Sequence, residues 1–327
     1  MNVRDLNLGI NLAPNNELGL ELQNPVIIAS GTFGYDGYGR GIPEDMDLSQ
    51  IGAVIPKTVT RYPREGNPEP RWYPRSYREG RQRNDAIYLN SIGLANPGIE
   101  AALSDLAPIW DAWPAQIILS LSASSPSEFG VMAAMTNGIS GFEALELNLS
   151  CPNIESGALF AHSADQTYEV VKQVKENSAL PILVKLAPNV PDLVPIVKAA
   201  ESAGADALTI SNTNPAMLVD TSSKLPVLGA GTGGLSGPAL HPIALALVYQ
   251  TFRAIDLPII GVGGVFNAED ALRFFMCGAS AVQIGSANLA DMWAPLTVLN
   301  ELSEYLAINQ ISSFQELIGV AHSRITV

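Results

Sequence analysis

Three apolar runs, Ala144-Leu145-Glu146-Leu147, Pro181-Ile182-Leu183-Val184 and Ala207-Leu208-Thr209-Ile210, alternate with two segments, Gln166 to Glu176 and Leu193 to Ala203, whose apolar residues recur at helical spacing. None of the runs alternates strictly between apolar and polar residues, as expected of parallel strands buried on both faces. The pattern continues outward. Pro25 to Ala29, Ala53 to Pro56 and Ile117 to Leu121 precede it, Pro258 to Gly261 and Ala281 to Ile284 follow it, and Pro242 to Ala254 and Ala268 to Cys277 repeat the helical spacing. Eight strand-and-helix units in about 300 residues predict an α/β fold of the TIM (β/α)8 barrel type rather than an open doubly wound sheet.

Leu8 to Leu22 holds two short alternating runs around Pro14-Asn15-Asn16, which predict a hairpin closing the amino-terminal end of the barrel. Trp293 to Leu306 and Ser313 to Val320 read as terminal helices. No linker or low-complexity tract interrupts the chain, so residues 1–327 read as one barrel domain with extra loops over its mouth.

With 47% hydrophobic residues, the 327-residue chain can bury a large core, and its net charge of -14 without a long like-charge block describes an ordinary acidic protein. Nucleic acid is not an expected partner. Arg61 to Arg83 is the local exception, with seven of the eighteen Lys and Arg residues interleaved with Trp72, Tyr73 and Tyr77, and it reads as an exposed active-site loop. Met1 to Leu12 lacks a cationic start and a continuous apolar stretch, and no window reaches membrane-spanning length, so a cytoplasmic location without membrane contact is expected. The two cysteines, Cys151 and Cys277, are too few for a disulfide framework or a four-thiolate iron–sulfur site. His162, His241 and His322 do not cluster with acids at metal-ligand spacing, so neither a metal site nor a Ser-His-Asp hydrolase is expected.

Catalytic groups of such barrels sit at the carboxyl ends of the strands. In strand order those ends hold Ser30-Gly31-Thr32, Lys57-Thr58, Ser120 to Ser122, Asn148 to Asn153, Lys185, Ser211-Asn212-Thr213, Gly263-Gly264 and Gly285-Ser286. The last two suit phosphate, which bare backbone N–H groups and a helix amino terminus bind after strands seven and eight; the alternative is that the glycines only shape tight turns. Lys57 and Lys185 can stabilise negative charge on a reduced cofactor, form rim salt bridges, or serve an aldolase-type reaction. Cys151, between Asn148 and Asn153 in a Pro-flanked loop, is a candidate base whose alternative is a small buried hydrophobe; for Cys277 the hydrophobe is the better reading. Gly229 to Gly234 matches a dinucleotide fingerprint but lacks the strand before and the helix after, and is expected to be a flexible loop over a bound cofactor. The asparagines Asn90, Asn148, Asn153 and Asn212 both donate and accept, which suits an imide-like ring bearing a carboxylate.

These residues resemble a known family, the class 1 dihydroorotate dehydrogenases, FMN enzymes of pyrimidine biosynthesis built on a TIM barrel. The resemblance runs through Ala29 to Gly34, Lys57 to Thr60, Gly66-Asn67-Pro68, Asn90 to Leu94, Asn148 to Asn153, Gly233 to Pro238 and Gly261 to Val265. It implies that Ser30, Lys57, Thr58, Ser120, Asn148, Lys185, Ser211, Gly237, Gly263, Gly264, Gly285 and Ser286 surround FMN. It further implies that Lys57, Asn90, Ser91, Ile92, Gly93, Leu94, Asn148, Asn153, Asn212 and Thr213 hold dihydroorotate or orotate. Ser120 stands where the family usually has Asn or Ala.

The resemblance implies Cys151 as general base toward C5 of dihydroorotate, hydride transfer from C6 to the flavin, and Lys185 as stabiliser of the reduced flavin. Gly233 to Pro238 and Asn212-Thr213 are most like the NAD-linked type (class 1B). That likeness implies a second subunit carrying FAD and a two-iron cluster, in a heterotetramer, or else a homodimer of this chain alone. Trp72 to Arg83 departs from the family as a longer, more basic loop. Dihydropyrimidine dehydrogenases are a rival, but they carry His where Asn153 stands; a flavin- or phosphate-binding subunit without catalysis is a second alternative. Cys151→Ala is expected to leave the flavin colour intact and to remove most substrate-driven flavin reduction, as followed by anaerobic stopped-flow absorbance.

Overall fold

The computed structural model describes residues 6–39, 41–74, 87–149 and 159–324. Eight parallel strands close into a barrel: β1 (Val26–Ile28), β2 (Ala53–Val54), β3 (Gln116–Leu121), β4 (Ala144–Asn148), β5 (Ile182–Leu186), β6 (Ala207–Ile210), β7 (Ile259–Val262) and β8 (Ala281–Ile284). They pair in sequence order, and β8 returns to β1 through Val282↔Val26 and Ile284↔Ile28. The eight apolar runs read from the sequence are the eight strands. Helices Ala164–Lys175, Val194–Ser202, His241–Phe252 and Ala268–Cys277 follow β4 to β7 as their spacing predicts, and Pro126–Met135 follows β3. Between β1 and β2 the described residues carry only a short 3-10 turn, Leu48–Gln50, in the place of a helix.

Strand pleat decides what fills the barrel, because residues two apart share a face. One set packs outward against the helices and includes Ile117, Leu119, Leu145, Leu147, Ile182, Val184, Leu208 and Val282. The other set points inward. Its lowest layer, with Ile27, Ile118, Ala144, Leu183, Ala207, Ile260 and Ala281, joins Leu12, Ala13, Leu20 and Leu22 in one buried cluster. Those four belong to the expected amino-terminal hairpin, whose strands Ile10–Asn11 and Glu21–Leu22 pair antiparallel. The hairpin is therefore an apolar plug in the amino-terminal end of the barrel. Asn16 Nδ2 pins its turn to Asp206 at 3.3 Å, just before β6.

The carboxyl end carries a second sheet. Asn214–Ala216, Gly233–Ser236, Tyr88–Asn90 and Trp72–Tyr73 form a four-stranded antiparallel sheet, with Asn214 opposite Leu235, Gly234 opposite Asn90, and Trp72 also opposite Asn90. This corrects in part the expectation that Gly229 to Gly234 is a flexible loop: residues 229–232 form a turn, but Gly233 and Gly234 belong to a strand. A Cβ on Gly233 would run into the Asn90 carbonyl, and one on Gly234 into the Thr213 hydroxyl. These glycines permit close approach of strands, which is the other use of glycine in a sheet.

The carboxyl terminus also differs in part. Ala294–Ile308 is the expected helix, but Ser313 to Val320 is not one; it holds a 3-10 turn, Phe314–Leu317, followed by another, Val320–Arg324. Gly319 interrupts with φ +76, and its N–H donates to the Phe275 carbonyl at 2.9 Å. Among the described residues, no helix is long and apolar enough to cross a membrane. Leu20→Ala, which empties part of the plug, is expected to destabilise the chain by about 2–5 kcal/mol, read as a lower urea midpoint at unchanged slope.

Candidate functional site

A cavity of 350 Å³ lies between the carboxyl ends of the strands and the four-stranded sheet. Its size falls in the range of small-molecule and cofactor sites. Of the residues nominated from the sequence, Ser30, Lys57, Thr58, Asn90, Ile92, Leu94, Asn148, Lys185, Ser211, Asn212, Thr213, Gly263, Gly264, Gly285 and Ser286 line it. Four others stand just behind the wall. Ser120 and Ser91 are fully buried, Gly93 packs on Asn67, and the Gly237 carbonyl backs Gly264. Cys151 and Asn153 lie outside the described residues.

Hydroxyls and amides run along the wall as one chain. Ser30 Oγ meets Thr58 Oγ1 at 3.0 Å, and Thr58 Oγ1 meets Ser120 Oγ at 2.9 Å. Asn148 Nδ2 donates to the same Thr58 oxygen at 3.5 Å, and Asn212 Nδ2 donates to Asn148 Oδ1 at 3.0 Å. The chain thus ties the ends of β1, β2, β3, β4 and β6 together through five side chains. It fixes the amide orientation of Asn148 and Asn212, since each carbonyl and NH2 has an assigned role: Asn212 Oδ1 accepts from the Thr213 N–H at 2.8 Å.

The wall from Asn90 to Leu94 is braced from outside. Asn67 Nδ2 donates to Ser91 Oγ at 2.8 Å, and the Asn67 N–H donates to the Ile92 carbonyl at 3.0 Å. Arg71 Nε donates to the Asn67 carbonyl at 2.6 Å. Asn96, nearly buried, donates to Leu94 O at 2.7 Å and accepts from Thr60 N, which holds Leu94 in its left-handed conformation.

Opposite stand the two glycine turns. Gly264 has φ +67, and a Cβ there would come within 2.8 Å of the Gly237 carbonyl and of His241 Cβ. His241 Nδ1 donates to the Gly263 carbonyl at 2.9 Å and so fixes the turn with the backbone N–H groups left for a ligand. Gly285 precedes the short helix Ser286–Ala290. The floor is different in kind. Lys185 Nζ, largely buried, lies 3.5 Å from Glu146 Oε1 and donates to Gln283 Oε1 at 3.1 Å.

Sequence reasoning missed several of these residues. Glu146, Thr209 and Gln283 sit inside apolar strand runs, and a lone polar residue in such a run was the available signal. Tyr35 lines the cavity without any motif to mark it, while Trp72, Gly234 and Ser236 fall in stretches singled out from the sequence but were not named as site residues. Burial pushes the Tyr35 phenol well above its ordinary range, so it stays a neutral hydroxyl. Burial also raises the Cys277 thiol, in keeping with its reading as a hydrophobe. Among the described residues, no group of three or more His, Cys, Asp or Glu is placed to hold a metal ion.

A sequence model of the family described as dihydroorotate dehydrogenase matches residues 13–306. The chain belongs to the dihydroorotate dehydrogenase family. It is 42% identical over 305 residues to a protein of Desulforudis audaxviator named dihydroorotate dehydrogenase B (NAD(+)), catalytic subunit, covering 93% of this chain and 95% of the relative. A protein of the same name from Caldicellulosiruptor bescii is 39% identical over 315 residues, with 96% and 99% covered. The solved structure of the dihydroorotate dehydrogenase from Eimeria tenella in complex with ferulenol shares the fold, with a TM-score of 0.78 at 20% identity over 97% of this chain and 89% of that one. The family is flavin-dependent, and the glycine turns opposite a buried lysine suit the phosphate and ring of such a group. Gly264→Ala is expected to cost about 1–3 kcal/mol of stability and to weaken flavin retention, measured by thermal unfolding and by the flavin absorbance that survives gel filtration.

Proposed function

We propose that the chain is the catalytic subunit of a class 1B dihydroorotate dehydrogenase, oxidising (S)-dihydroorotate to orotate with FMN as its cofactor. The observation that carries this reading is the convergence of Asn90, Asn148 and Asn212 with Lys57 and Lys185 on one cavity, in a chain whose relatives are named for that activity. Three amides, two of them oriented by hydrogen bonds, suit the alternating N–H and C=O groups of a dihydropyrimidine ring, and Lys57 supplies the cation for its carboxylate. A neutral dihydropyrimidine lacks a carboxylate to offer that ammonium, which favours the acidic substrate over its neutral analogue.

FMN, when bound, supplies the hydride acceptor. Gly263, Gly264, Gly285 and Ser286 would hold its phosphate through backbone N–H groups, and Ser30, Thr58, Asn148, Lys185 and Ser211 would surround its ring system. Cys151 follows the end of β4 by three residues in the sequence, and the family resemblance supports it as the general base. As thiolate it takes the C5 proton of the substrate. The amides that line the cavity would hold the ring, and the four-stranded sheet covers the mouth. Mildly alkaline conditions raise the thiolate fraction and hence the rate.

The relatives' names point to electron transfer onward to NAD through another subunit. Two cysteines cannot build an iron–sulfur cluster, so the electron-transfer partner carries the FAD and the two-iron centre, in a heterotetramer with this chain. Of the basic loop Trp72 to Arg83, only Trp72 to Pro74 lie among the described residues, and Trp72 lines the cavity. Anaerobic titration of the yellow protein with dihydroorotate is expected to bleach the flavin, with dihydrouracil leaving it oxidised. Fumarate, NAD and a quinone, offered separately afterwards, are each expected to reoxidise it poorly without the partner. Bleaching by dihydrouracil, or fast reoxidation by NAD in the isolated chain, would overturn the reading.

A further inference from the structure

The middle of the barrel holds a polar cluster that substrate binding does not explain. Glu146 has no solvent exposure, yet its side chain stands one step above an aliphatic floor. Three donors from three other strands meet it: Lys185 Nζ at 3.5 Å, Thr209 Oγ1 at 3.3 Å and Gln283 Nε2 at 2.7 Å. Gln283 closes the ring, because its Oε1 accepts from Lys185 Nζ at 3.1 Å. The Lys185 ammonium therefore has two acceptors beneath it and the cavity above it.

Apolar side chains of similar volume often replace a buried ion pair at no loss of stability, so packing alone gives little reason for this cluster. A lysine stem is flexible, and a single acceptor leaves its charge free to wander. Two acceptors that are themselves hydrogen-bonded to each other leave one position. Among the described residues, the other charged side chain lining the cavity is Lys57, which belongs to the substrate wall.

We propose that Glu146 and Gln283 are positioning residues that hold the Lys185 ammonium at one place on the cavity floor, where it favours the reduced form of the bound flavin. The proposal rests on the reading that a flavin fills this cavity. Thr209 serves the same purpose at one remove, by fixing the second oxygen of Glu146.

The test is a mutant cycle on the flavin-loaded chain, read as the midpoint potential of the flavin and as the ratio of its oxidised and reduced dissociation constants. Lys185→Met is expected to reduce the preference for reduced flavin at least tenfold, about 30 mV for a two-electron couple. Glu146→Gln and Gln283→Leu are each expected to move the ratio in the same direction, at least threefold. Neither is expected to change it further when added to Lys185→Met. Additive shifts in the double variants, unchanged potentials in both single variants, or a shift toward the reduced form in Glu146→Gln would overturn the proposal and leave the functional reading intact. If Glu146→Gln does not fold, the Gln283→Leu and Lys185→Met cycle decides alone. A wild-type chain that binds no flavin would overturn the functional reading and this proposal together.

Discussion

A carboxylate and an ammonium face each other 3.5 Å apart inside a barrel whose floor is aliphatic, and this pair constrains most of what surrounds it. A charge buried without partners costs far more than any single packing gain, so the strands that supply the partners have no freedom in register. Glu146 on β4, Lys185 on β5, Thr209 on β6 and Gln283 on β8 must all point inward at one height. Each is two residues beyond a member of the apolar floor: Ala144, Leu183, Ala207 and Ala281. A slip of one residue in β4 would press Glu146 against the helices and turn Leu147 into the barrel. The hairpin plug completes the arrangement by sealing the floor with Leu12, Leu20 and Leu22, so the cluster opens in one direction only.

Above that layer the same pleat brings Asn148 to the mouth, again two residues further along. The interior thus changes from aliphatic to ionic to amide over three rungs of the strands. The ends of β1 to β4 and of β6 are knitted by hydroxyl and amide contacts, whereas β7 and β8 end in glycine turns that present backbone. One side of the cavity is therefore built from oriented side chains and the other from bare N–H groups. In the proposed reading, that division would separate a ring-binding region from a phosphate-binding one. The antiparallel sheet over the mouth relies on glycines for closeness, and it places Asn90, Thr213 and Trp72 on a surface held by strand pairing.

Family membership and geometry carry different parts of the functional reading. The relatives supply the reaction and the naming of a catalytic subunit. The structure supplies the setting for the proposed substrate, with Asn90, Asn148, Asn212 and two lysines lining one cavity. The departure from the family's usual short loop begins at Trp72, on an edge strand of the mouth sheet.

The sequence by itself determined the barrel, its hairpin and nearly all of the cavity wall. Buried parallel strands need continuous apolar runs, and barrel chemistry gathers where those runs end, so Lys57, Asn148, Asn212 and Gly263-Gly264 were legible from position alone. The family motifs added Asn90 to Leu94, which no strand end marks. Only the tertiary structure decided the partners of Lys185 and the nature of the glycine-rich stretch before Leu235. Glu146, Thr209 and Gln283 lie far apart in the chain, and their meeting depends on strand order, inward pleat and common height, which act together only in the closed barrel. Gly233 and Gly234 read as flexible because local sequence reports the missing side chain; the Asn90 carbonyl and the Thr213 hydroxyl that require its absence are brought there by the fold.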